Sequence, residues 1–118
     1  MTEQKSVIFN KNIILTFSKP VTKEDFVLKI KEIVKDILNL LRGNGSNNLG
    51  HIKFISTTNG EDYLQVSVLD INQDPKVEGF LKKAFEKIKI TLNIIAFGVK
   101  KEEIDKKLDK ELEKLQFF

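Results

Sequence analysis

The spacing of hydrophobic residues changes several times along this chain, and each change marks an element. Over residues 7–18 apolar and polar positions alternate: Ile13, Leu15 and Phe17 point one way, and Asn12, Ile14, Thr16 and Ser18 the other. Period 2 is the pattern of a strand with two different faces. Val7 and Phe9 either extend that strand or form a frayed lead-in, and Pro20 ends it.

Thr22 then suits a helix N-cap, with Glu24 and Asp25 in the first turn. Phe26, Val27, Ile30, Ile33, Val34, Ile37, Leu38 and Leu41 recur at three and four, which makes one wide buried face. Gly43 is placed to close the helix at its C′ position. Residues 43–50 (Gly-Asn-Gly-Ser-Asn-Asn-Leu-Gly) read as a loop.

A β-hairpin follows, with Asn59-Gly60 as its tight turn, because both central residues of a primed turn need positive φ. Ile52 and Phe54 in its first strand and Leu64, Val66 and Val68 in its second face the core. His51, Lys53, Ile55 and Thr57, then Tyr63, Gln65, Ser67 and Leu69, face outward.

Asp74-Pro75 is a helix-start pair, an N-cap acceptor followed by proline at the first helical position. Val77, Phe80, Leu81, Ala84, Phe85 and Ile88 supply the stripe of a second helix. From residue 89 to 97 the period returns to 2, with Ile90, Leu92, Ile94 and Ala96 on one side and Thr91, Asn93, Ile95 and Phe97 on the other. β-branched content favours a strand there; the rival is one long helix over 75–97. Gly98 breaks the segment. A last helix runs from about residue 100 to 115, with Ile104, Leu108, Leu112 and Leu115 on a narrow stripe and Glu102/Lys106 and Glu103/Lys107 at i,i+4.

The order is thus βαββαβ plus a C-terminal helix. It predicts a single α+β domain over 1–118 with a ferredoxin-like two-layer sandwich, sheet order 4-1-3-2. Both main helices would cover one sheet face. The other would carry Ile14, Thr16, His51, Lys53, Ile55, Tyr63, Gln65, Ser67, Leu69, Thr91, Asn93, Ile95 and Phe97. So apolar a face calls for a cover, either the C-terminal helix or a second subunit.

Composition removes several function classes. The 118 residues contain no cysteine, which excludes disulfide scaffolds, thiol catalysis and thiolate metal sites. No apolar run nears the ~18 residues of a membrane span. Met1–Lys5 has no apolar h-region, so no secretory leader is expected; the lack of cysteine makes a reducing cytoplasm the expected setting. The net charge of +3 reads as lysine enrichment spread over solvated faces.

Chemistry-bearing motifs are few. His51 is the sole histidine and the only metal-ligand candidate; no His/Asp/Glu cluster surrounds it in sequence, and no metal or other cofactor is expected. None of the serines sits in a Gly-x-Ser-x-Gly elbow. The loop over 43–50 lacks the Gly-Lys-Ser/Thr ending of a phosphate-binding loop. Nucleic-acid binding by the open sheet would need aromatics ringed by basic residues. Only Tyr63 and Lys53 are expected there, with Lys29, Lys31, Lys35, Lys82, Lys83 and Lys87 assigned to helices on the far side. The last helix balances six Lys against six Asp/Glu over residues 100–114, unlike a membrane-surface helix. Phe117 and Phe118 are placed to tuck into its seam.

Leu49-Gly50-His51-Ile52-Lys53, followed by Thr91-Leu92-Asn93-Ile94-Ile95-Ala96-Phe97-Gly98, resembles the C-terminal region of CobW-type proteins, GTPases of cobalamin synthesis and metal delivery. The resemblance covers residues 49–115. The GTPase domain, with its phosphate loop and metal-binding cysteine motif, has no counterpart in this sequence. What the resemblance implies is an accessory or partner-docking module, not GTP hydrolysis.

The resulting expectation is a non-catalytic binding module. Its contact surface would be the open-sheet residues His51, Lys53, Ile55, Tyr63, Gln65, Ser67, Thr91 and Asn93, together with the helix stripe Ile104, Leu108, Leu112 and Leu115. The partner would be another protein or a second copy. The alternatives are a single-strand nucleic-acid-binding domain and a small enzyme using His51 in a pocket between the sheet and the last helix.

Overall fold

Seven elements follow one another in the computed structural model, which describes residues 5–46, 48–58, 62–81 and 83–116. They are β1 (Ser6–Val21), α1 (Lys23–Gly43), β2 (Leu49–Thr57), β3 (Tyr63–Val68), β4 (Lys76–Phe80), β5 (Phe85–Phe97) and α2 (Lys101–Gln116). The strands form one five-stranded sheet of order β1-β5-β2-β3-β4, antiparallel throughout.

The ferredoxin-like order 4-1-3-2 is therefore overturned. Two of its strand pairings survive: the β2–β3 hairpin, and β1 against the last strand. The first strand does not run in the sheet interior; it is an edge, and β5 lies between it and β2. β5 has the longest alternation in the chain. Ile88, Ile90, Leu92, Ile94 and Ala96 are all fully buried on one side of it, which suits a strand with neighbours on both flanks.

The second helix expected over 75–88 does not form, nor does its longer rival over 75–97. Val77, Phe80 and Phe85 do recur at helical spacing, but they lie in β4 and β5. Gly79 has φ +82°, far from the −63° or so of a helix interior, and it pairs with Leu64 of β3. β4 satisfies backbone groups along the outer edge of β3 that a helix here would leave open. Phe85 is buried as expected, but as a strand residue between the rings of Phe17 and Phe26, with edge-to-face centroid distances of 6.1 and 5.3 Å.

β1 also runs past its expected end. It continues to Val21, and pairing to β5 is interrupted between Thr16 and Val21. Pro20 falls in that unpaired stretch of an edge strand, where its missing N–H costs nothing. Thr22 caps α1 by accepting from the Asp25 N–H at 3.2 Å, and Asn44, not Gly43, closes the helix. The Asn59-Gly60 turn, Lys82, Phe117 and Phe118 lie outside the described residues.

Both helices cover the same sheet face. α1 buries Phe26, Ile30, Ile33, Val34, Ile37, Leu38 and Leu41, and α2 buries Ile104, Leu108, Leu112 and Leu115. Between helices and sheet lie Leu15, Ile52, Phe54, Leu64, Val66 and the inward row of β5. Lys11 occupies a helix-side position on β1, opposite Leu92, and reaches Asp105 (3.7 Å) and Asp109 (3.0 Å) on α2. The hydrogen bond to Asp109 holds its ammonium above the usual 10.5, against the opposing pull of burial. Among the described residues no helix is long and apolar enough to cross a membrane.

Candidate functional site

Strand pairing fixes what the uncovered face carries. Residues opposite one another in a ladder share a face, and alternate residues along a strand do too. One row across the sheet runs Ile8, Ile95, His51. The next runs Asn10, Asn93, Lys53, Ser67, Lys76. Then come Asn12, Thr91, Ile55, Gln65, Glu78, and after them Ile14, Lys89, Thr57, Tyr63, Phe80. Thr16 and Lys87 form the last pair.

All eight open-sheet candidates (His51, Lys53, Ile55, Tyr63, Gln65, Ser67, Thr91 and Asn93) thus stand on one continuous surface. Ser67 is nonetheless buried, flanked by Lys53 and Lys76. The second candidate group lies elsewhere. Ile104, Leu108, Leu112 and Leu115 are buried in the chain's own core, on the side of the sheet opposite the open face. Among the described residues both helices pack on the opposite face of the sheet. Four of its large apolar side chains are more than half exposed: Ile8 (56%), Ile14 (61%), Tyr63 (51%) and Phe80 (55%).

Side-chain amides cross the middle of the face. His51 Nε2 donates to Asn93 Oδ1, and Asn93 Nδ2 donates to Asn10 Oδ1, so one chain of hydrogen bonds links β2, β5 and β1. This arrangement requires a proton on His51 Nε2. His51 therefore meets an amide, not a carboxylate, and it lies on the sheet face away from α2. A pocket between sheet and last helix does not include it. Among the described residues no three His, Asp or Glu side chains come together as a metal-binding group.

Gly50 sets the position of His51. Leu49 pairs with Ala96 and His51 with the preceding residue, Ile95, so Gly50 is the extra residue of a β-bulge. The bulge turns Leu49 to the core and His51 to the open face. A Cβ on Gly50 would lie 2.5 Å from Ile95 Cγ2 and 2.9 Å from the Ile95 carbonyl oxygen, so only glycine fits.

The other end of the face holds what sequence reasoning missed. Lys53 is not its only lysine. Lys87, expected on a helix, and Lys89 both project from β5 onto the open face, and Lys76 joins them from β4. Phe80, also expected on a helix, stands directly opposite Tyr63. The Tyr63 ring lies over bare Gly79, where a Cβ would come within 2.9 Å of Tyr63 Cε2. Carrying the alternation of β5 back from Thr91 by two and four residues would have found Lys89 and Lys87; Phe80 had no comparable signal. Compared with known proteins, the chain matches no family model, no curated protein and no solved structure.

Proposed function

We propose that the protein is a non-catalytic binding module that works through the uncovered face of its sheet. The observation that carries this is the distribution of apolar surface. Both helices spend their stripes on one side, while Ile8, Ile14, Tyr63 and Phe80 stay more than half exposed on the other. Tyr63 and Phe80 are adjacent while Ile8 and Ile14 lie on β1, and exposed apolar side chains set among ordered amides on an uncovered face support a contact surface. The neighbour of His51 is the Asn93 amide, not a carboxylate, which supports binding over catalysis. A cytoplasmic setting belongs to the same proposal, on the strength of the missing cysteines. The resemblance of residues 49–115 to CobW-type C-terminal regions adds a narrower form, an accessory role beside a metal- or cobalamin-handling GTPase.

The test is an amide NMR survey of the labelled protein with zinc, nickel, GTP and a short RNA, together with its mass in solution across a concentration series. Shifts centred on His51, Lys53, Tyr63 and Asn93, from a probe or from self-association, are the expected result. Shifts confined to α1 and α2, or none from any probe with a strictly monomeric protein, would overturn the proposal.

A further inference from the structure

We infer that the occupant of the open face is a single-stranded nucleic acid, held at the end of the sheet where Tyr63 and Phe80 lie. This rests on the binding-module reading and narrows it to one class of partner.

Charge makes the first argument. Of the residues that strand pairing places on this face, Lys53, Lys76, Lys87 and Lys89 are basic and only Glu78 is acidic. Glu78 is already engaged by Lys76 at 3.0 Å. Lys53, Lys87 and Lys89 make no ion pair among the described residues. Three unpaired ammonium groups on an otherwise neutral surface call for an anion. They also argue against a second copy seated back to back, which would press like charges together as water leaves.

The aromatics decide which anion. Tyr63 and Phe80 are cross-strand neighbours, both more than half exposed, and the tyrosine ring is supported from below by Gly79. Two adjacent rings open to solvent form a platform for unstacked bases; aromatic sheet faces of this kind stack two or three bases. Lys89 lies in the same row two strands away, about 10 Å at normal strand spacing. Lys87 lies about 7 Å further along β5 and Lys53 about 14 Å from Thr57 along β2, so the lysines line the approach to the rings. The amides of Asn10, Asn93 and Gln65 offer donors and acceptors to base edges.

The experiment is fluorescence anisotropy with a labelled oligouridylate of about ten nucleotides, within the range of single-strand sites. Binding is expected at about 50 mM salt. With three phosphates neutralised at a slope of about −0.7 each, raising salt to about 200 mM should weaken it about twentyfold. Lys87→Gln with Lys89→Gln should cut that salt slope to about a third. Tyr63→Ala should weaken binding about five- to hundredfold, while Tyr63→Phe, which keeps the ring and its seat on Gly79, should retain it. A duplex of matching length should bind less tightly, because its bases are already stacked.

Absence of binding at low salt overturns the inference, as does binding indifferent to Tyr63→Ala. If the oligonucleotide fails while self-association or anionic vesicles shift amides of the open face, the occupant is wrong and the binding module stands. If the oligonucleotide binds but shifts only α1 and α2, both fall.

Discussion

Replacing Gly50 by alanine tests the bulge that orients His51, and the cost can be worked out from the structure. The new Cβ would lie 2.5 Å from Ile95 Cγ2, 2.8 Å from Ile95 Cβ and 2.9 Å from the Ile95 carbonyl oxygen. Unstrained carbon contacts begin at about 3.5 Å. The Cγ2 clash can be eased by turning the Ile95 side chain off its preferred rotamer, at about 1 kcal/mol. The Ile95 carbonyl is part of the β5 backbone and the position of Ile95 Cβ is set by it, so neither turns away. They require β2 to move away, weakening a ladder hydrogen bond worth about another 1 kcal/mol. The sum, about 2 kcal/mol, falls inside the range for overpacked sites. For 118 residues the unfolding entropy is about 0.25 kcal/mol/K, so Gly50→Ala should lower Tm by about 8 °C. Urea denaturation should show the same loss as a lower midpoint with an unchanged slope. Adding Ile95→Ala removes Cγ2 but leaves Cβ and the carbonyl, so it should recover about half of the loss as coupling energy. A Gly50→Ala protein within about 0.5 kcal/mol of the parent would refute the close approach of β2 to β5 at this point, since ordinary surface substitutions cost no more.

Two other stability predictions concern the helix side of the sheet. Phe54→Ala should cost about 3–5 kcal/mol by urea denaturation, because this fully buried ring pairs with Val66 on one flank and Leu92 on the other. Lys11→Met should cost under about 1 kcal/mol near neutral pH, the value of partly exposed ion pairs. The Lys11 pKa is raised in the fold, so its contribution is complete below 10.5 and is lost as pH climbs through the folded value. The difference between parent and variant should therefore hold steady from neutral pH to about 10 and shrink above 10.5; a gap that widens there would contradict the assignment.

Much of the open face was legible without knowing the fold. Whether a side chain points up or down from a strand depends only on its position along that strand, because the period is 2 whatever the neighbours are. The alternations at 13–18, 51–57, 63–68 and 90–97 therefore assigned His51, Lys53, Tyr63 and Asn93 to a common side even though the expected sheet order was wrong. The amphipathic helices α1 and α2 were equally local, being set by period-3.6 stripes and by the Thr22 cap.

Strand order is a different kind of information. Pairing of β5 with both β1 and β2 joins residues more than 30 positions apart, and nothing in a short window encodes it. The segment 75–88 shows the limit most clearly. Val77, Leu81, Phe85 and Ile88 fit a helical stripe, yet Val77 lies in β4, Phe85 and Ile88 open β5, and Leu81 falls between the two strands; Asp74-Pro75 can open either a helix or a strand. The choice was made by the outer edge of β3, whose backbone groups take Lys76–Phe80 as a partner, and by a left-handed Gly79. That choice moved Lys87 and Phe80 off a helix and onto the open face. The sequence by itself determined which residues are apolar, which alternate and which side of each strand they share. Only the tertiary structure decided that the lysines and aromatics meet on one surface, because that juxtaposition is created by long-range strand pairing.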